Sequence, residues 1–158
     1  MEITKGEARE SIQNFEEIIQ SMENHFEGDS CNAPLEHHFA YGTYLREMLL
    51  PKGTVITGKI HNFDHLNFLM KGTVYVVSED GNYKLKAPQI IRSSQGVKRV
   101  MYAETDVIWV NVHPNPNNTK NLNELEDFLV SKTYEDYHRK KLGIFGRIKN
   151  WLTEKILL

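Results

Sequence analysis

The sequence of 158 residues contains a single cysteine, Cys31. One cysteine cannot form an internal disulfide, and it excludes a zinc site built from several thiolates. We expect Cys31 to be a reduced loop thiol, because a reactive cysteine requires an electropositive environment that lowers its pKa.

Long hydrophobic runs are also absent. No apolar run approaches the roughly 20 residues that a membrane-spanning helix requires. The first residues, MEITKGEARE, lack the basic flank and apolar stretch of a secretory signal. These two absences predict a cytoplasmic protein, which means the host cytoplasm if a phage encodes it.

Charge of either sign is not in large excess. The chain has 19 Lys and Arg against 21 Asp and Glu, for a net charge of -2. A chain with this balance has no global attraction to nucleic acid, so any phosphate binding must be local. The sequence also has no Walker loop, nucleophile elbow, dinucleotide fingerprint or base-stacking platform among basic residues. Nucleic acid is therefore not an expected partner.

The N-terminal segment has the pattern of an amphipathic helix. Thr4 and Glu7 are spaced as a capping box, and Gly28 is suited to end the helix. We predict a helix from Lys5 to Phe26 within an N-terminal unit, residues 1–30, that packs on the domain or on a dimer partner. Its apolar positions are Ala8, Ile12, Phe15, Ile19, Met22 and Phe26.

From Tyr41 to His113 the sequence consists of short β-rich segments separated by turn residues. Glu79-Asp80-Gly81 predicts a hairpin, because glycine accommodates positive φ in a tight turn. About eight strands in this order predict a mainly β protein with a jelly-roll β-sandwich over residues 31–114. The predicted strands are Tyr44–Leu50, Thr54–His61, His65–Met70, Thr73–Ser78, Asn82–Lys86, one near Ile90-Ile91, Val97–Tyr102 and Val107–Val112.

Residues 115–158 form a predicted helical extension. Asn121 with Glu124 can cap a short helix, Thr133 can begin another, and Lys149–Leu158 is a third candidate. The basic and apolar residues at the end of the chain are compatible with an anionic membrane surface. We favour packing on the sandwich or across a homodimer instead, because two glycines interrupt this segment.

The stretch from Gly53 to Gly72 reads GTVITGKIHNFDHLNFLMKG. Five residues separate Gly53 from Lys59, one separates Lys59 from His61, three separate His61 from His65, and six separate His65 from Gly72. This spacing resembles the first motif of the cupin superfamily, a glycine, His-x-His, a glutamate and a second glycine. Lys59 stands at the position of the first histidine, and His65 stands at that of the glutamate.

A second stretch resembles the other cupin motif. Arg99 stands where that motif has its metal-binding histidine, and Gly96 is the glycine that remains. The segment KAPQIIRSSQGVKRVMYAETDVIWVNVHP is also similar to small cupin-like proteins of tailed bacteriophages. The resemblance covers roughly Tyr41 to His113. The residues at the intervals of the second motif are Pro88, Ser94, Gln95, Gly96, Arg99 and Ala103.

The resemblance implies a pocket between two sheets. In cupins the four motif positions hold divalent iron, manganese, zinc or nickel through three histidines and one carboxylate. Here the same positions are Lys59, His61, His65 and Arg99. Strand alternation predicts that Val55, Thr57, Lys59 and His61 all point inward.

The exchanged residues favour an anion over a metal ion, because an arginine stays protonated and cannot be a ligand. We expect Lys59 and Arg99 to contact a small anionic ligand, such as a nucleotide or sugar phosphate, and His61 and His65 to donate hydrogen bonds. Protonation of these imidazoles near about pH 6.5 should then strengthen binding. Tyr102 and Trp109 are further ligand-binding candidates that can stack on a ring, although such residues are usually core.

Two alternatives remain open. One is a metal-dependent isomerase, dioxygenase or lyase, with His61 and His65 as ligands and His113 or Glu104 completing the site. The other is a structural or interaction module. No catalytic residue and no resident cofactor is favoured by the sequence.

Of His37 and His38, at most one can join the pocket, because neighbours on an extended strand face opposite ways. If phage-encoded, the protein would act on host metabolism or defence signalling.

Overall fold

The computed structural model describes residues 4–26 and 34–143. Cys31 and the predicted helix at Lys149–Leu158 lie outside the described residues. No helix within these two ranges is long and apolar enough to cross a membrane.

The N-terminal helix α1 spans Lys5–Gln20. Its capping box is formed as predicted, because the Thr4 side chain accepts from the Glu7 backbone and the Glu7 carboxylate accepts from the Thr4 backbone. The helix ends before the predicted Phe26. At its end, the Ser21 hydroxyl donates to the carbonyl of Ile18, a local bond of the kind that competes with helix continuation.

Eleven strands are described, more than the eight expected. They form a five-stranded sheet in the order β1-β2-β10-β5-β8, a four-stranded sheet in the order β3-β9-β6-β7, and the short pair β11-β4. All strand pairs are antiparallel. The strands are β1 Leu35–Ala40, β2 Gly42–Leu50, β3 Val55–Thr57, β4 Ile60–His61, β5 His65–Lys71, β6 Thr73–Ser78, β7 Gly81–Lys86, β8 Gln89–Ser93, β9 Arg99–Ala103, β10 Val107–Asn115 and β11 Val130–Ser131.

The main hydrophobic core lies between the two larger sheets. Leu69 and Trp109 of the five-stranded sheet belong to the same buried cluster as Val74, Val76 and Met101 of the four-stranded sheet. Residues on the inner faces alternate with exposed ones along each strand, as a packed sandwich requires. The fold is the predicted mainly β jelly roll, and the hairpin at Glu79-Asp80-Gly81 joins β6 to β7.

The predicted strand from Thr54 to His61 is interrupted. Gly58 and Lys59 separate β3 from β4, and the Gly58 backbone N–H donates to the carbonyl of Arg99 at 2.8 Å. Consequently the side-chain alternation of β4 does not continue into β3. Val55 is exposed and Thr57 bonds to Glu16 of α1, so the predicted inward orientation of both residues is wrong.

Within residues 116–143 the chain contains two helical segments, separated by the short strand β11. Helix α2 spans Leu122–Leu129, and the Asn121 side chain caps it by accepting from the backbone of Glu124. Residues 134–143 are also helical. Tyr137 of that segment is buried against Gly96, where an added Cβ would lie 2.9 Å from the tyrosine hydroxyl.

Candidate functional site

The inner face of the five-stranded sheet changes from apolar to polar along its length. Leu69, Trp109 and Met48 lie side by side across β5, β10 and β2. The next inward row on the same three strands is Asn67, Asn111 and Arg46. The row after that is His65, His113 and Tyr44, so one end of the sandwich is lined by polar side chains.

Three histidines converge at this polar end. His65 of β5 and His113 of β10 are each 6% exposed, and His61 of β4 faces them. The ring centroids are 4.0 Å apart for His61 and His65, 5.2 Å for His61 and His113, and 4.8 Å for His65 and His113. One ring nitrogen from each lies within 4.8 Å of the others. Imidazole nitrogens bound tetrahedrally to one metal ion at about 2.1 Å would be about 3.4 Å apart, so the nitrogens would have to move together by up to about 1.4 Å to bind it.

A tight turn brings His61 and His65 together. The carboxylate of Asp64 accepts from the Gln95 backbone at 2.8 Å and also pairs with Arg92, which holds the turn against the β8–β9 loop. The Gly96 backbone N–H donates to the carbonyl of His61 at 2.8 Å. The cupin-like spacing therefore places both imidazoles on the same side of the turn.

The imidazoles are neutral at physiological pH. Burial lowers the pKa of His65 from its ordinary value of 6.5 to about 4, and the charge of Arg99 acts in the same direction. Burial and the neighbouring His65 lower the pKa of His113 to about 3. The pKa of His61 is lowered well below 6.5, first by burial and then by His65 and His113. The protonation of His61 and His65 near pH 6.5 that the sequence led us to expect is therefore wrong.

The hydrogen bonds of the cluster leave nitrogens available for a ligand. Nδ1 of His65 donates to the carbonyl of Phe63 at 3.3 Å, because a carbonyl oxygen can only accept. Nε2 of His65 therefore carries a lone pair, and this atom is buried without a hydrogen-bond partner among the described residues. Nδ1 of His61 is buried in the same way. The lone pair of His65 Nε2, with the opposite ring nitrogen held by a hydrogen bond, has the arrangement of a metal-ligating imidazole.

Arg99 reaches the same region from the four-stranded sheet. Its Nη1 donates to Ser93 Oγ, which also accepts from Asn67 Nδ2. Asn111 Nδ2 donates to Asn67 Oδ1 at 2.5 Å. Nε of Arg99 is buried and has no hydrogen-bond partner in the described ranges. A chain of buried polar groups thus positions a guanidinium that still has a donor to offer.

Lys59 is not placed with the histidines, in contrast to the prediction. Its ammonium pairs with Glu126 of α2, and the lysine side chain is 36% exposed. The physical reason is the break at Gly58-Lys59, which ends the alternation that would have turned Lys59 inward. Of the two cations predicted to line the pocket, Lys59 and Arg99, the structure therefore brings only Arg99 to it.

The two aromatic candidates do not line the histidine cluster. Tyr102 is 41% exposed on the outer face of the four-stranded sheet, where its ring lies 6.4 Å from that of Tyr75. Trp109 is 2% exposed and belongs to the main core. The rings of Tyr102 and Trp109 therefore pack against other side chains of the protein, and neither is placed to stack on a ligand beside the histidines.

Of the residues proposed to complete a metal site, His113 joins the cluster and Glu104 does not. Glu104 pairs with Lys84 on the surface.

His37 points to the inner face, where its Nδ1 lies 2.7 Å from the Tyr44 hydroxyl. His38 points outward and contacts Glu47, so only one of the adjacent histidines approaches the pocket, as predicted.

Sequence reasoning missed several polar residues of this pocket, namely Tyr44, Arg46, Asn67, Ser93 and Asn111. These residues lie on strands that are far apart in the sequence, so the pattern of a single segment does not show that they meet. A signal was nevertheless present, because the alternating residues Asn111 and His113 continue the inward series of Trp109. The same alternation relates Asn67 to His65.

No protein-family model and no curated protein matches the chain. Solved structures do match it. The plu4264 protein from Photorhabdus luminescens is 12% identical, with a TM-score of 0.50, and the match covers 66% of this chain and 94% of that one.

Two further matches are described as cupins. An RmlC-like cupin family protein with a double-stranded β-helix fold, from Methanocaldococcus jannaschii, is 18% identical with a TM-score of 0.46, over 58% of this chain and 89% of that one. A cupin superfamily protein from Desulfitobacterium hafniense is 8% identical with a TM-score of 0.47, over 56% and 83%. Identities this low speak to the fold alone, which is the mainly β, antiparallel jelly roll described above.

Proposed function

We propose that the protein binds a small anionic ligand in the sandwich pocket, on a divalent transition-metal ion held by His61, His65 and His113. The observation that carries this proposal is the convergence of three neutral imidazoles, those of the buried His65 and His113 and the partly buried His61, beside the buried Nε of Arg99. Imidazole nitrogens suit zinc, copper, iron and nickel. Three protein ligands would leave a coordination position open to the ligand, as in sites that act on bound molecules rather than purely structural ones.

The charge around the cluster favours an anion. A divalent ion bound by three neutral imidazoles keeps its full charge, and the guanidiniums of Arg99 and Arg46 both lie close enough to lower the pKa of His61. Within residues 4–26 and 34–143, these three histidines form no ion pair with an acidic side chain. An anionic ligand would supply the missing negative charge, and each charge-assisted hydrogen bond contributes about 1.5–3 kcal/mol.

A second candidate is an anion site that needs no metal ion. The unpaired Nε–H of Arg99 favours it, because this group can only donate and so requires an acceptor. The neutral imidazoles would then donate hydrogen bonds from whichever nitrogen carries the proton. The positive surroundings that favour an anion also weaken the attraction of the imidazoles for a cation.

For the ligand itself we propose a nucleotide or a sugar phosphate. The support is the similarity of residues 86–114 to phage cupin-like proteins, together with the donors of the pocket. In that setting the protein would act as a phage factor on host metabolism or defence signalling, by holding its ligand rather than transforming it. The metal-dependent enzyme is the alternative if the metal-bound protein turns the ligand over.

Elemental analysis of protein purified without a metal-affinity tag tests the metal site. We expect close to one equivalent of a transition metal per chain in the wild type, and its loss in His65→Ala and His113→Ala. His138→Ala is the matched control, because this exposed histidine of the helical segment 134–143 belongs to no possible metal-ligand group among the described residues. Metal retained by both pocket variants would overturn the three-histidine site.

Calorimetry with inorganic phosphate, nucleotides, sugar phosphates and dicarboxylates tests the anion. Arg99→Ala should weaken binding by about 10- to 150-fold, which corresponds to about 1.5–3 kcal/mol. Arg99→Lys should recover only part of this, because the two-pronged geometry is lost. Arg139→Ala is the control, since Arg139 pairs with Asp136 on the surface. If anion binding survives a chelator, the site that needs no metal ion is the correct candidate. If none of these anions binds, both candidates are rejected.

A further inference from the structure

We infer that α2 and β11, residues Leu122–Ser131, form a strap that closes the histidine pocket, and that solutes reach the three imidazoles when the strap opens. The inference rests on the proposed function only in taking the pocket as the binding site. It names what controls access to that site, whatever the ligand is.

Apolar contacts place the strap over the polar end of the sandwich. Leu125 and Leu129 are buried with Tyr44 in a small cluster. The ring of Tyr44 lies 6.1 Å from that of His113, in a stacked arrangement. Phe128 contacts Phe63, which lies in the turn between His61 and His65, with ring centroids 4.7 Å apart. The strap therefore packs on the immediate neighbours of the histidines.

Hydrogen bonds join the strap to the strand that carries His61. Val130 pairs with His61, and Ser131 pairs with Ile60. Asn62, the residue after His61, makes three further contacts with the strap. Its backbone N–H donates to the Leu129 carbonyl at 2.8 Å, its side-chain amide donates to the Phe128 carbonyl at 3.0 Å, and its side-chain oxygen accepts from the Ser131 hydroxyl at 2.7 Å.

An ion pair adds a third fastening. Lys59 pairs with Glu126 at the middle of α2. The pKa of the Glu126 carboxyl is lowered first by its hydrogen bond from Lys59, and the charge of Arg46 contributes in the same direction. This face of α2 therefore lies within electrostatic reach of an arginine from the polar row. The break before β4 keeps Lys59 out of the pocket, and its ammonium is thereby free to hold the strap.

The strap can open while the sandwich stays folded. Its apolar contacts belong to a cluster of three buried residues that is separate from the nine-residue main core. Its strand pairing with β4 is only two residues long, and residues 116–121 connect it to β10 without regular structure. Segments with few buried apolar contacts open at a lower free energy than the whole domain. Opening would uncover Tyr44 and the turn between His61 and His65.

Histidine modification measures this opening directly. Diethyl pyrocarbonate reacts with accessible neutral imidazoles, and mass spectrometry locates each adduct. In metal-free wild-type protein, we expect the buried His65 and His113 to react at least about tenfold more slowly than the exposed His38 and His138, because reaction must wait for the strap. Pocket histidines that react as fast as the exposed pair would overturn the inference.

Variants of the fastenings identify the strap as the gate. Asn62→Ala and Lys59→Met should each speed modification of the pocket histidines several-fold, with the rates at His38 and His138 unchanged. Asn123→Ala is the matched control, because Asn123 is exposed on the same helix and its side chain makes no hydrogen bond or ion pair with another described residue. Thermal unfolding of each variant separates local opening from loss of the fold. Pocket rates that stay at the wild-type value in both fastening variants would reject the strap as the gate.

These rates do not depend on metal or anion binding. If the pocket binds neither, the modification rates still report whether the strap closes it. If it binds cobalt(II), dissociation of that ion into excess chelator should be several-fold faster in Lys59→Met than in Asn123→Ala. Equal dissociation rates would contradict the gate while leaving the metal site intact.

Discussion

The imidazoles of His61 and His65 lie 4.0 Å apart, although they belong to different strands. The three-residue turn between them lets both rings face His113 of β10, with centroid distances of 5.2 and 4.8 Å. Two nearby residues of the sequence and one distant residue thus form a single polar cluster. The properties of this cluster and of its frame lead to four predictions.

The first concerns the protonated nitrogen of His65. Because Nδ1 donates to the Phe63 carbonyl, the neutral ring should carry its proton on Nδ1 and leave Nε2 bare. Long-range nitrogen–proton NMR correlation at neutral pH should show this tautomer in the metal-free protein. The exposed His138 provides a reference for unrestrained exchange between tautomers. A proton found on Nε2 of His65 would contradict the geometry from which the metal site is argued.

The second concerns stability and pH in the metal-free protein. In the folded state the pKa values of His65 and His113 lie at about 4 and about 3, below the ordinary value of 6.5. Between these values the unfolded chain binds more protons than the folded one, so stability falls as pH drops from about 6.5. For His65 alone the full loss is on the order of 3 kcal/mol, since one pKa unit corresponds to about 1.4 kcal/mol.

Urea unfolding between pH 7.5 and 4.5 measures this loss. His65→Asn and His113→Asn should each flatten the pH dependence, whereas His38→Asn should leave it unchanged. A free energy of unfolding that is constant across this range would show that the pocket histidines do not remain neutral.

The third concerns the two glycines that frame the cupin-like motif. Gly53 and Gly72 both have positive φ, at 85° and 88°. A Cβ on Gly72 would overlap the Asp106 carbonyl and lie 2.8 Å from Thr105 Oγ1, whereas one on Gly53 would meet nothing within 4 Å. Gly53→Ala should therefore cost about 1–2 kcal/mol from backbone strain alone. Gly72→Ala should cost clearly more.

Chemical denaturation of the two variants tests this difference, since each serves as the control for the other. Equal losses of stability would show that backbone conformation alone requires glycine at position 72. A smaller loss for Gly72→Ala than for Gly53→Ala would contradict the close approach of the β9–β10 turn.

The fourth is self-association, most simply as a homodimer. The dimer was predicted in part from Ile12, Phe15, Ile19 and Met22. Ile12 is buried against the domain and Ile19 is partly buried, whereas Phe15 of α1 and Met22, just beyond the helix, are exposed, as is Ile18. Light scattering should give twice the chain mass of 18.4 kDa. Ile18→Ser with Met22→Ser should produce a monomer, and Glu17→Ser should not. The other apolar residues from which the dimer was predicted, Phe145, Trp151, Leu152 and Ile156, lie outside the described residues. A monomeric wild type would reject the prediction.

Local patterns predicted those features that depend on nearby residues. The capping box of Thr4 and Glu7, the hairpin at Gly81 and the cap at Asn121 formed as expected, because each involves hydrogen bonds across a few residues. Lys59 shows the limit of such patterns. Alternation predicted that it points inward, but a two-residue break before β4 reversed that orientation.

Strand β1 shows a second limit. Leu35–Ala40 was not predicted as a strand, although it pairs with β2 along its whole length. Its composition, with two adjacent histidines, gives little intrinsic β preference. Pairing with β2, rather than propensity, therefore determines its conformation.

The sequence by itself determined the jelly-roll class, the turn that pairs His61 with His65, and the presence of an arginine at position 99. These features follow from spacing and from the alternation of side chains along single strands. Only the tertiary structure decided that His113 completes the cluster, that Asn67 and Asn111 position its surroundings, and that α2 covers it. Asn67 and Asn111 are 44 residues apart and meet through the register of β5 and β10. That register depends on burial of the whole inner face of the sheet, which no single strand specifies.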